Sequence, residues 1–156
     1  MAEARTKYRL NNPEKVSRAN LFAEVTSVFG PHIQILPSSA TDRVTHWICT
    51  YFDGNVIHVY DSLPSVGGLT SEQINFLRKL FPHQPRVIYE QPQQQQNAYD
   101  CGVFAIAFAV SVANGLNPVS QNVCTRLLRP HMITIFQNKS IEPFPTEISY
   151  TALKKK

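Results

Sequence analysis

The chain has 156 residues, of which 43% are apolar and 17% charged, and it carries a net charge of +4. That length suits one folded domain burying about two thirds of its extended-chain surface, while eleven prolines and six glycines argue against a plain helical bundle. No apolar run reaches the roughly 18 residues of a membrane span, and the basic residues form no stripe with interleaved aromatics, so membrane insertion and nucleic-acid binding are both set aside.

Residues 1–12 read as a flexible arm, 13–146 as a single domain and 147–156 as a basic tail ending in Lys154-Lys155-Lys156, a solvated end. The arm has no apolar core, so no secretory signal is expected. Three cysteines, Cys49, Cys101 and Cys124, are too few and too spread for a disulfide framework. They favour a reducing compartment, and an intracellular protein of the nucleus or cytoplasm is expected. No CxxC or HExxH spacing predicts a metal, and no cofactor is expected.

In chain order, Pro13 opens a predicted helix through Phe29, with Val16, Leu21, Val25, Val28 and Phe29 as its apolar stripe and Gly30-Pro31 as its end. Ile33–Leu36 is a short strand, and Pro37–Arg43 a loop. Val44–Phe52 and Asn55–Tyr60 are rich in β-branched and aromatic residues, and Asp53-Gly54 between them is the strongest hairpin signal in the chain. Their imperfect alternation predicts strands covered on both faces. Thr70 and Gln73 have capping-box spacing before a helix from Ser71 to about Phe81, with Ile74, Leu77, Leu80 and Phe81 facing the core. Val87–Tyr89 is a further strand. The Gln91–Gln96 run is a polar loop, solvent-exposed on its simplest reading. Gly102–Asn114 is an apolar helix stopped by Gly115, and Val119 or Ser120 to about Phe136 a second helix that Pro130 should bend or divide. A loose tail from Pro143 packs through Phe144. The order implies an α+β fold, a small central sheet flanked by helices.

The chemistry concentrates on three segments. Cys101 sits at the start of the apolar helix, where free backbone N–H groups favour a thiolate. On its own a cysteine is as often a buried structural residue. His46, followed by Trp47, lies in an alternating apolar run, and Asp61 closes the next one. Their offsets from the Asp53-Gly54 turn are nearly equal, so a hairpin lets them approach across neighbouring strands. Asp61 can then orient the imidazole for a nucleophile. His32, His58, His83 and His131 compete for the role of base, and Asp61 could be a mere turn residue. Asp100 reads as structural, as a cap or a salt-bridge partner.

The combination His46-Trp47, Tyr60-Asp61-Ser62 and Gln95-x-Asn97-x-Tyr99-Asp100-Cys101-Gly102 resembles the Ulp1-like (C48-type, clan CE) cysteine peptidases, which process or remove ubiquitin-like modifiers. It resembles the adenoviral proteinase more distantly, in the order His, Asp, Gln, Cys. The Arg129-Pro130-His131-Met132 segment, with Pro143-Phe144-Pro145, is also similar to Ulp1-like proteins associated with mobile elements. The resemblance covers roughly Leu36 to Phe136. It implies a papain-like cysteine peptidase fold with permuted motif order, a small mixed sheet and, here, a truncated N-terminal part. It also implies Cys101 as nucleophile, His46 as base, Asp61 as its orienter and Gln95, or its neighbour Gln94, in the oxyanion hole. Trp47, Asn97 and Gly102 are implied to contact substrate, Trp47 roofing a tunnel narrow enough for a glycine-glycine tail.

The function so implied is a thiol-dependent hydrolase that cleaves the C-terminal glycine peptide or isopeptide bond of ubiquitin, SUMO or NEDD8. Its partners would be the modifier and its conjugates, and a monomer is expected. Two rivals stand beside it. One is an acyltransferase with the same Cys-His-Asp chemistry, distinguished by its products. The other is an inactive module that binds ubiquitin-like modifiers.

Overall fold

The computed structural model describes residues 27–39, 46–65 and 67–147. The predicted arm, nearly all of the predicted N-terminal helix and all but the first residue of the basic tail lie outside them. A four-stranded sheet is built from β1 (His32–Pro37), β2 (Trp47–Phe52), β3 (Ile57–Tyr60) and β4 (Val87–Tyr89), in that spatial order. β1 pairs antiparallel with β2 and β2 with β3, whereas β4 returns parallel to β3, so the sheet is mixed.

The β2–β3 connection forms where the sequence signals it. Gly54 takes a positive φ of 100°, which side chains disfavour. Asp53 Oδ1 accepts the backbone N–H groups of Asn55 and Val56, each at 2.8 Å, closing the turn. The register pairs Cys49 with Tyr60, which, continued by one step, sets Asp61 opposite Ile48. Asp61 therefore shares a sheet face with His46, one diagonal step away.

The alternation of β2 divides its side chains between two cores, which explains why neither face of the strand is polar. Ile48 and Phe52 join Leu36, Ile57 and Val59 beneath helix α1 (Ser71–Leu80). Cys49, with Tyr60, packs against helix α2 (Cys101–Ala113) and its neighbour α3 (Leu128–Asn138). α1 begins at the predicted capping box. Thr70 Oγ1 accepts from Gln73 N at 3.2 Å, and Gln73 Oε1 accepts from Thr70 N at 2.9 Å. Gln73 Nε2 also donates to Pro37 O at 3.0 Å, tying the helix start to β1. α2 is apolar nearly all round and buried along most of its length, as expected of a central helix. Gly115, at φ +71°, follows its end.

Three readings need correction. Residues 27–29 are not helical: Val28 donates its N–H to Leu80 O at 2.8 Å, and Phe29 is 75% exposed instead of joining a core stripe. In α1, Phe76 is buried while Ile74 is only partly so. The long helix from Val119 to Phe136 is instead a 3-10 turn (Pro118–Ser120), an extended stretch, a second 3-10 turn (Thr125–Leu127) and then α3. The extended stretch exists because Val123 bridges Thr146 and because Gln93 brackets it: Oε1 accepts from Val123 N at 2.8 Å, and Nε2 donates to Val123 O at 3.2 Å. Pro130 bends nothing. It lies in the first turn of α3, where backbone N–H groups have no helical acceptor to lose. Phe144 is buried, as predicted, with its ring 4.6 Å from that of His131.

Candidate active site

The start of β2, the end of β3, the loop after β4 and the start of α2 converge at one end of the sheet. His46 immediately precedes β2 and Asp61 immediately follows β3. His46 Nε2 and Asp61 Oδ1 lie 2.5 Å apart, a charge-assisted hydrogen bond. Asp61 is itself fixed, since the same oxygen accepts the Leu63 N–H at 2.9 Å.

The competing histidines are engaged elsewhere. His58 donates from Nδ1 to Glu90 and from Nε2 to Asp53, both at 2.8 Å. Burial works against its charge, but the two carboxylates outweigh it and raise its pKa above 6.5. His32 meets Gln34 Oε1 at 3.1 Å, His131 donates to Glu142 O at 2.8 Å, and His83 lies by Phe29. Of the five histidines, His46 is the one set against Asp61.

Cys101 is the first residue of α2. The first helical bond runs from Phe104 N to Asp100 O at 3.0 Å, so the N–H groups of Cys101 and Gly102 precede the ladder. A Cβ built on Gly102 would come 3.8 Å from Trp47 Cδ1, so the helix start lies against the indole next to His46. A cleft of about 430 Å³ opens here, lined by Trp47, Tyr99, Cys101, Gly102, Ile106 and Arg129 among others. A second hollow, of about 720 Å³, meets the site from the α1 side and is lined by His46, Asp61, Leu63 and Thr70 among others. Cys49 and Cys124 are both buried, and burial pushes the Cys49 thiol up to about 12. A thiol so raised stays protonated and unreactive at neutral pH.

The glutamine run is not a bland solvent loop. Gln94 is exposed, and its amide donates to Pro92 O at 2.8 Å and to Asp61 O at 3.3 Å. Gln95 is only 6% exposed. Its Oε1 accepts from Ser62 Oγ at 2.5 Å and its Nε2 donates to Asn97 O at 2.6 Å, which together fix which way the amide points. Its backbone N–H donates to Ser62 O at 2.8 Å. The loop beyond is organised by Asn97, whose Oδ1 accepts from the N–H groups of Tyr99 and Asp100 at 3.0 and 2.9 Å.

Sequence reasoning missed three residues of this assembly. Ser62 was visible only as the neighbour of Asp61, Gln93 only as one more glutamine, and Arg129 only within the segment similar to mobile-element-associated proteins, with no role of its own. Arg129 Nη2 donates to Asp100 Oδ1 at 2.8 Å, across a gap of 29 positions. Among the described residues, no group of histidines, cysteines and carboxylates could hold a metal ion, and no helix is long and apolar enough to cross a membrane.

The arrangement offers a thiol at a helix N-terminus, an imidazole braced by a carboxylate and a buried amide of fixed orientation, a set suited to acyl transfer from an amide or ester. The sequence model of the Ulp1 protease family, C-terminal catalytic domain, matches residues 45–146, from the residue before His46 to the Thr146 that bridges Val123. No curated protein matches the chain. The mixed sheet and its helices agree with the papain-like fold of that family, and the matched segment spans well over half of the sequence. The chain belongs to the Ulp1 protease family, cysteine proteases that act on ubiquitin-like modifiers.

Proposed function

We propose that this protein hydrolyses the peptide or isopeptide bond that follows the C-terminal glycine of ubiquitin, SUMO or NEDD8, with Cys101 as nucleophile, His46 as general base and acid, Asp61 as orienter and Gln95 in the oxyanion hole. The observation that carries the reading is the 2.5 Å pairing of His46 Nε2 with Asp61 Oδ1. Because Nε2 is taken by the carboxylate, the proton exchanged with the thiol passes through Nδ1.

His46 takes the Cys101 proton, and the thiolate sulfur bonds to the glycine carbonyl carbon, giving a tetrahedral oxyanion. Asp61 stabilises the imidazolium so formed without being protonated. The Cys101 N–H and the second N–H of the Gln95 amide stabilise the oxyanion. The C–N bond then breaks, the amine leaves with the proton from His46, and a thioester remains. Water, deprotonated by His46, attacks that thioester, releasing the glycine carboxylate and restoring the thiol. The burial of Gln95 and its bond to Ser62 favour it over the exposed Gln94. Trp47 and Gly102 flank the cleft at Cys101 and leave a path for a tail without side chains, while Asn97 organises the loop that brings Tyr99 to that cleft.

The test is covalent capture by ubiquitin, SUMO and NEDD8 probes bearing C-terminal electrophiles, read by intact mass. An adduct with one probe, lost in Cys101→Ala and strongly slowed in His46→Ala, is the expected result, and the reacting probe names the modifier. Folded protein that reacts with none of them overturns the proposed substrate.

A further inference from the structure

We infer that Arg129 is a positioning residue for the thiol site: through Asp100 it holds the loop from Gln95 to Cys101 against α3 and balances the charge directly before the nucleophile. The inference rests on the assignment of Cys101 made above.

Asp100 occupies the N-cap position of α2 yet makes no side-chain capping bond. Its two oxygens are turned to other partners. Oδ1 accepts from Arg129 Nη2 at 2.8 Å, and Oδ2 accepts from Asn97 Nδ2 at 2.7 Å. Asn97 in turn receives the Gln95 amide on its backbone oxygen at 2.6 Å. A continuous run of hydrogen bonds thus links α3 to the amide assigned to the oxyanion hole, with Cys101 the next residue after Asp100. Arg129 Nη2 also reaches Tyr99 O at 3.5 Å, a weaker contact on the same loop.

Two physical points separate this role from ordinary stabilisation. Arg129 lies in the first turn of α3, where a cation opposes the helix dipole, so its placement does not serve its own helix. Its side chain is 56% exposed, and an ion pair so exposed contributes little to folding stability. What the pair does is local. A carboxylate immediately before the nucleophile works against the thiolate, and the guanidinium offsets it. The fork of the guanidinium also fixes the direction of the carboxylate better than a point charge can.

The experiment measures the rate of Cys101 alkylation by iodoacetamide against pH in the full chain, followed by intact mass, beside turnover of a modifier with a C-terminal fluorogenic amide. Arg129→Ala should move the alkylation profile to higher pH and lower kcat by up to about a hundredfold with KM little changed, as small misplacements near reacting atoms do. Asp100→Asn should move the profile the opposite way. The double variant should return the profile towards wild type while kcat stays low, because charge balance is restored but the loop is not. Arg129→Lys should recover most of the profile and only part of kcat. Opposite shifts from two partners of one ion pair are not produced by loss of stability, and thermal midpoints of each variant check the fold. If Arg129→Ala does not fold, Arg129→Lys and Asp100→Asn carry the comparison. Superimposable profiles for Arg129→Ala and wild type, with kcat within about twofold, would overturn the inference. The alkylation arm needs no substrate, so it decides the role of Arg129 even if every modifier probe fails.

Discussion

Ser62 shows how much one hydroxyl contributes at this site. It is 1% exposed and donates to a Gln95 oxygen that has left water. Ser62→Ala removes the donor and strands that oxygen, which should cost about 1–3 kcal/mol in urea unfolding. It also frees the amide to turn, so kcat should fall below what the stability loss explains at temperatures where the variant is fully folded. Equal kcat for variant and wild type would show that Asn97 alone orients Gln95. At this scale the sequence was legible where a contact depends on position in a strand. His46 and Asp61 flank one turn at similar offsets, so their meeting could be read from spacing. That Gln95 and not Gln94 is buried could not, because it depends on the packing of the whole loop, and Arg129 reaches Asp100 only through the packing of α3.

Among the elements, α1 was read almost to its boundaries because its signals are local: a capping box at one end and a proline break after the other. Thr70→Ala should therefore destabilise the fold by about 1 kcal/mol in equilibrium unfolding, with a larger loss if the contact of Thr70 Oγ1 with Ser38 O, at 2.9 Å, also matters. The stretch from Val119 to Leu127 was misread for the opposite reason. Its apolar residues suit a helix, but Val123 finds its partners in Gln93 and Thr146, far away in sequence, and these hold it extended. Tertiary hydrogen bonds override local propensity there. Pro130, expected to bend or divide a helix, instead lies in the first turn of α3, a distinction that a proline does not make by itself.

Across the whole molecule, the two cores on either side of the sheet meet the same hairpin, and His58 joins the far end of that hairpin to the strand leading into the glutamine loop. Its ring lies between Tyr51 and Tyr60, at 6.0 and 6.4 Å, and between the carboxylates of Asp53 and Glu90. The hydrogen bond from His58, foremost, together with those from the backbone N–H groups of Val56 and Asn55, lowers Asp53 from 3.8 to about 2. Burial, foremost, pushes Tyr60 up to about 12, so its phenol stays neutral throughout the range that follows. Linkage then gives a stability window. The His58 contribution is complete below its ordinary 6.5 and is lost as pH rises through its raised value. The Asp53 contribution is complete above 3.8 and is lost as pH falls through about 2. The thermal midpoint should therefore be favoured between those limits, and His58→Gln should flatten the alkaline decline. An unchanged alkaline limb in that variant would assign the decline to another group.

The bridge between Val123 and Thr146 has a consequence for synthesis on the ribosome. A nascent chain released only as far as α3 already holds Cys101, His46, Asp61 and Gln95, yet Gln93 has no settled strand to grip until Pro145 and Thr146 emerge and fix Cys124 and Val123. The loop that carries the amide is therefore closed by residues translated long after it. Closure of that loop thus follows the release of the late segment that carries Pro145 and Thr146.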